Sequence, residues 1–183
     1  MIRMTNHTTG MKIIGIVGIL DLPGSEDRLW KHLRIAFEEQ FPNAEFVVEH
    51  AFYLPWQGEK MRIFADSILK KYDVGDDIIL IGYSLGGIIA CTIAPEFSKS
   101  RVQKVVTIGT PHKLNFFYRM LNADPVKLPM PVFTFAGILD PFVPWFLTQY
   151  QGNTHTNVFS DHLLGFILSA HPASVIAQKV AKL

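Results

Sequence analysis

Asp77-Ile78-Ile79-Leu80-Ile81-Gly82-Tyr83-Ser84-Leu85-Gly86-Gly87-Ile88-Ile89-Ala90 is the stretch that decides the architecture. Its first half is an unbroken run of apolar, largely β-branched residues, the pattern of a strand covered on both faces. Its second half, continuing through Cys91-Thr92-Ile93-Ala94, reads as an apolar helix. Between them the segment Gly82-Tyr83-Ser84-Leu85-Gly86 leaves no room for a loop, so the chain turns sharply with Ser84 at the tip. Gly82 and Gly86 flank that turn, where the serine backbone is strained and a Cβ would meet elements passing close by.

The same alternation runs outward in both directions. Strands are predicted at Lys12–Leu20, Glu45–Leu54, Asp77–Tyr83, Val102–Gly109, Val132–Gly137 and Thr156–Phe159. Helices fill the gaps. Leu29, Trp30, Leu33, Phe37 and Phe41 recur at helical spacing over Glu26–Gln40, with Ser25 as N-cap and Pro42 as terminator. Met61, Phe64, Ala65, Ile68, Leu69 and Tyr72 form a second stripe, and two further helices are expected at Leu163–Ser169 and Ala173–Leu183, separated by Pro172. These stripes are core packing. Strict βα alternation predicts an α/β fold with a doubly wound, mostly parallel sheet of about six strands and helices on both faces. The expected organisation is a disordered tail over 1–11 and a single domain over 12–183 without a large cap.

Composition narrows the classes. A chain of 183 residues with formal charge +1 and 49% apolar residues can bury a sizeable core. It has no cluster of Lys and Arg that would speak for nucleic acid. The one cysteine, Cys91, falls inside a predicted helix and reads as a buried thiol. No apolar run reaches membrane-spanning length. Ile13 to Leu20 is too short for a leader, runs into Asp21-Leu22-Pro23-Gly24 and has no small-residue cleavage site, so a buried first strand explains it better. A cytoplasmic location is favoured, with a secreted mature form as the alternative. The histidines show no metal-ligand spacing, and no cofactor is expected. Oligomeric state is not legible.

A serine on such a turn has two chemical advantages. Its hydroxyl stands clear of the sheet, and the helix that begins one residue later turns the Leu85 N–H and a positive end toward any developing oxyanion. A serine hydroxyl still needs an imidazole to take its proton and a carboxylate to orient that imidazole. On a doubly wound sheet both should come from loops after later strands, in the order Ser, acid, His. Asp140 follows the strand that ends at Gly137 and is the acid candidate; Asp124 precedes that strand, and Asp161 adjoins a histidine. Among the seven histidines, His7 is in the tail, while His32 and His50 precede the serine. His112 follows Gly109-Thr110-Pro111, too early in the order. His162 comes after the last strand and opens an apolar helix, the required context; His155 and His171 are the alternatives.

Over residues 12–183 the chain resembles the α/β-hydrolase family, most of all its small lipase and esterase members. The likeness is carried by Gly82-Tyr83-Ser84-Leu85-Gly86-Gly87, Gly109-Thr110-Pro111-His112, Gly137-Ile138-Leu139-Asp140-Pro141-Phe142-Val143 and Ser160-Asp161-His162-Leu163-Leu164-Gly165-Phe166. The resemblance implies a catalytic triad of Ser84, Asp140 and His162. It also implies an oxyanion hole of backbone N–H groups from Leu85 and from Ile19, with Leu20 as the alternative to Ile19. Family members usually carry a His-Gly pair here; this chain reads Val17-Gly18, and a backbone donor tolerates that change. By the same analogy His112 shapes the pocket.

The resemblance implies acyl transfer to water through an acyl-enzyme, on small-molecule or lipid esters. Leu114–Leu121 and Pro141–Leu147 are rich in aromatics on the catalytic side and read either as packing of short helices or as an apolar acyl pocket or flap. Leu20, Tyr83, His112, Phe116, Phe117, Phe142 and Val143 are the candidate substrate contacts. Amide, peptide and thioester chemistry use the same triad and are the first alternatives. A silent hydrolase fold kept as a binding module is the second.

Overall fold

The computed structural model describes residues 10–18, 26–73, 75–98, 101–125, 127–150, 154–158 and 170–182. Six strands form one sheet: β1 (Met11–Ile16), β2 (Ala44–Glu49), β3 (Asp77–Tyr83), β4 (Val102–Ile108), β5 (Val132–Gly137) and β6 (Thr154–Val158). Their order is β2-β1-β3-β4-β5-β6 and every pairing is parallel. The expected doubly wound α/β sheet is therefore present, and it is wholly parallel.

Burial follows from that order. β3 and β5 are buried almost end to end, because helices cover both faces of a central parallel strand. The edge strands β2 and β6 stay half open. One face of the sheet packs against α2 (Gly58–Tyr72), α3 (Leu85–Ile93) and α4 (Asn115–Met120). The apolar stripe of α2, Met61, Phe64, Ile68 and Tyr72, lies in that layer with Ile88, Ile89, Phe117 and Tyr118. The opposite face packs against α1 (Glu26–Gln40) and α5 (Ala170–Ala181), through Leu29, Trp30, Leu33 and Phe37 of α1 and Ile176, Ala177 and Val180 of α5. Phe37 stacks on Phe41, the last residue before Pro42 stops the helix.

Several element ends differ from the sequence-based expectation. β1 is paired only as far as Ile16, because β2 and β3 supply register partners from Met11 to Ile16 and none beyond. β2 stops at Glu49, so His50 lies past the strand and is exposed. β6 begins earlier, at Thr154, where it finds Phe133 of β5. Pro172 lies inside α5 as described from Ala170, so the last helix is not confined to the expected Ala173–Leu183. The tail expected over 1–11 falls outside the described residues except for Gly10 and Met11, and Met11 pairs with both Ala44 and Asp77. The helix expected at Leu163–Ser169 and the capping role of Ser25 also lie outside the described residues.

The chain leaves β1 toward β2 on one side and returns to build β3 on the other. The resulting switch point is between the carboxyl ends of β1 and β3, where sheets of this kind open a crevice for ligands. Val17-Gly18 ends one wall of that crevice and Ser84 ends the other.

Candidate active site

Ser84 has φ 51° and ψ −125°, a region that L-residues seldom enter. The surroundings hold it there. Its N–H donates to the Ile108 carbonyl of the neighbouring strand at 2.8 Å, and its own carbonyl accepts the Gly87 N–H at 3.1 Å. Although Ser84 occupies the N-cap position of α3, its side chain makes no capping hydrogen bond. The ordinary use of a serine at a helix start is thus absent, and the hydroxyl is left for other work.

Three glycines make this turn sterically possible. A Cβ at Gly82 would lie 2.3 Å from the Gly87 Cα, and one at Gly86 would lie 2.2 Å from the Ile16 carbonyl oxygen. A Cβ at Gly87 would lie 2.0 Å from Thr110 Oγ1. All three are closer than any real side chain approaches, so α3 starts flush against β1 and against the segment that follows β4. Leu85 is the first residue of α3 and is buried. Its N–H belongs to the first turn, whose donors have no partner within the helix.

Asp140 lies beyond the carboxyl end of β5, after the turn Ile138-Leu139, and is 5% exposed. Its Oδ1 accepts the backbone N–H of Phe142 at 2.9 Å and of Val143 at 2.8 Å. Pro141 offers no N–H of its own, and the two bonds fix the carboxylate against the loop it begins. Ser84 and Asp140 therefore both end strands on the same edge of the sheet. β4 alone lies between those strands, a separation of about two strand spacings, roughly 10 Å.

His112 is buried and spends both ring nitrogens on the protein. Nε2 is 2.9 Å from Thr107 Oγ1 and Nδ1 is 2.7 Å from the Tyr118 hydroxyl. The Tyr150 ring meets it edge-on at 4.8 Å. Burial, with a smaller contribution from His155, pushes its pKa down to about 3, so the ring is neutral. Cys91 in α3 is buried and its thiol pKa is pushed up by desolvation, which keeps it protonated. His155 is likewise engaged, Nδ1 with Thr134 Oγ1 at 2.7 Å and Nε2 with Asn157 Oδ1 at 2.9 Å. It sits level with Thr134 and, through Thr107, with Gly82, inside the sheet and three strands from Ser84.

The candidate substrate contacts divide. Phe116 and Phe142 stand 51% and 66% exposed at the carboxyl end of the sheet. Phe117 is buried in the layer beneath α4, Tyr83 is buried on the opposite face, and Val143 is buried behind the Asp140 turn. A cleft of about 260 Å³ opens beside His112, lined also by Lys113, Asn115, Pro125, Gln149 and Tyr150. His162, Ile19 and Leu20 lie outside the described residues. Sequence reading missed the polar contacts Tyr118–His112–Thr107, made where the chain after β4 folds back on that strand, and Thr134–His155, made by the β5–β6 register; the Gly-Thr-Pro-His segment was their one visible sign. Among the described residues no group of His, Cys, Asp and Glu could hold a metal ion, and no helix is long and apolar enough to cross a membrane.

With this geometry in view, the family model of the alpha/beta hydrolase fold matches residues 62–182. The chain belongs to that family. Solved structures agree on the fold. A putative YdeN-like hydrolase from Pectobacterium atrosepticum superposes with TM-score 0.65 at 18% identity, covering 94% of this chain and 92% of its own. Est1E from Butyrivibrio proteoclasticus gives 0.63 at 16% identity, with 97% and 88% covered. The mature lipase BlEst2 of Bacillus licheniformis gives 0.62 at 15% identity, with 95% and 93% covered. No functionally curated protein matches the chain in sequence.

Proposed function

We propose that the protein is a serine hydrolase that cleaves carboxylic esters with an apolar acyl group. The observation that carries the reading is Ser84 itself: left-handed in φ, seated by glycines, at the start of a helix it does not cap. Strain of this kind persists only where the surroundings enforce it, and it clusters at functional residues.

In the proposed cycle the Ser84 hydroxyl attacks the ester carbonyl as His162 removes its proton. Asp140, fixed by its own turn, orients His162 and stabilises the imidazolium. The oxyanion rests on the N–H groups of Leu85 and Ile19, with Leu20 as the alternative first donor. His162 then protonates the departing alcohol, and water repeats the sequence on the acyl-enzyme. Support for His162 over His155 comes from what holds His155 and from chain order: both nitrogens of His155 are engaged below the strand ends, whereas His162 follows β6 in the order Ser, acid, His. The lipase BlEst2, which shares the fold, supports ester substrates, and the exposed Phe116 and Phe142 support an apolar acyl group.

The test is a matched set of ester, thioester and amide substrates over a range of acyl lengths. The proposal expects saturable ester turnover, abolished in Ser84→Ala, with kcat/KM higher than for the amide. Turnover of the amide at the higher kcat/KM would replace ester with amide hydrolysis, and turnover of none would remove the catalytic reading.

A further inference from the structure

We propose that Tyr53 is a positioning residue for the nucleophile: its hydroxyl holds the Val17–Gly18 peptide against the Ser84 turn. The holding stands on geometry; its effect on turnover rests on the ester-hydrolase reading above.

Tyr53 lies in the connection between β2 and α2 and is fully buried. Its hydroxyl donates to the Val17 carbonyl at 2.9 Å. A buried tyrosine hydroxyl usually finds some acceptor, so the meaning lies in which one it takes. Val17 is the first residue past β1, where the register partners have ended. Its N–H still reaches β2, donating to the Glu49 carbonyl at 3.3 Å. Its carbonyl, beyond the ladder, is met by Tyr53. The Val17 side chain is buried in the layer of α1 and α5, and the Tyr53 ring in the opposite layer. The segment is thus clasped from both faces of the sheet.

That clasp bears on Ser84 through one rigid unit. A peptide is planar from one Cα to the next, so fixing the Val17 oxygen fixes the Gly18 Cα at the other end of the plane. A Cβ on Gly18 would lie 2.7 Å from the Ser84 Cβ and 3.4 Å from its Oγ. The Val17 oxygen also abuts the first turn of α3, where a Cβ on Gly86 would come within 2.6 Å of it. Tyr53 is itself anchored. Its ring packs on Phe64 of α2 with centroids 6.1 Å apart. The next residue, Leu54, donates its N–H to Gln57 Oε1 at 3.0 Å and accepts the Gln57 N–H at 2.9 Å, closing the turn into α2.

Loss of the hydroxyl alone would keep the ring in its layer and take a donor from a buried carbonyl. Such a carbonyl turns toward another donor, and Gly18 moves with it. Tyr53 is buried away from any substrate, so the loss falls on kcat and spares KM.

The experiment compares wild type, Tyr53→Phe and Tyr72→Phe. The last removes a hydroxyl from the same layer, one that bonds the Glu49 carboxylate. Ester kinetics are read beside hydrogen exchange by mass spectrometry. In Tyr53→Phe, kcat should fall about tenfold or more with KM within about twofold. Exchange should quicken in peptides covering 13–18 and stay unchanged in those covering 170–182. Tyr72→Phe should keep wild-type kcat. A hydroxyl that only adds stability would leave kcat unchanged in the folded variant, and that result would overturn the proposal. So would an equal loss of kcat in Tyr72→Phe, or a loss in Tyr53→Phe with no change in exchange over 13–18. If wild type turns over no ester, the hydrolase reading fails on its own and exchange alone decides the holding, which unchanged rates over 13–18 would overturn.

Discussion

A Cβ placed on Gly18 would stand 2.7 Å from the Cβ of Ser84 and 2.8 Å from the carbonyl oxygen of Tyr83. The segment just past β1 and the tip of the β3 turn thus touch beside the proposed nucleophile. Gly18→Ala forces a shift between this segment and the Ser84 turn. The expected result is a fall in ester kcat/KM of about 100-fold, the cost of misplacing a nucleophile by a fraction of its reach, with a small change in Tm. Wild-type turnover in this variant would mean that the tight seat is not needed for the chemistry.

On the proposed cycle Asp140 has two jobs, one in its own turn and one at His162, which substitution can separate. Asn keeps an oxygen for the N–H groups of Phe142 and Val143, whereas Ala removes it. Asp140→Asn should therefore hold the turn and the thermal stability while kcat falls about 10⁴-fold, because an amide cannot orient and stabilise the imidazolium. Asp140→Ala should lose activity and also about 1 kcal/mol or more of stability for the orphaned donors. Near-wild-type kcat in Asp140→Asn would move the acid elsewhere.

His112 gives a pH signature in stability. Its folded pKa is lowered to about 3 from 6.5. Between those values the unfolded chain binds a proton that the folded ring refuses, so stability falls as pH drops from about 6.5 toward 3, by up to about 1.4 kcal/mol per pH unit. His112→Gln should lower stability at neutral pH and flatten that acid limb by about the same slope, measured by urea unfolding across the range. Parallel acid limbs in the two proteins would contradict a buried neutral ring.

The parts of the fold that were legible are those set by local pattern. The apolar run Asp77–Tyr83 and the stripe of Glu26–Gln40 match β3 and α1 end to end, since burial on both faces or on one helical face writes itself into consecutive residues. Strand ends were less legible. Apolar character continues from Ile16 to Leu20, but the register partners end with Ile16, opposite Glu49, the last residue of β2, and Gly82, beyond which β3 turns at Ser84. The seat of Ser84 was readable in part: Gly82 and Gly86 announced a close approach, while the contact of Gly87 with Thr110 depends on a segment more than twenty residues away. The engagement of His155 by Thr134 depends on the β5–β6 register, which nothing in either strand specifies alone. Exposure of Trp145 and Phe146 beside a buried Val143 is likewise a tertiary outcome.

The most direct test of the central claim is covalent labelling with a fluorophosphonate, read by intact mass and peptide mapping, on wild type, Ser84→Ala, His162→Ala and His155→Ala. The account predicts one label per chain at Ser84, none in Ser84→Ala, a rate strongly reduced in His162→Ala and near wild type in His155→Ala. A folded wild-type protein that takes no label, or takes it at a residue other than Ser84, would contradict it.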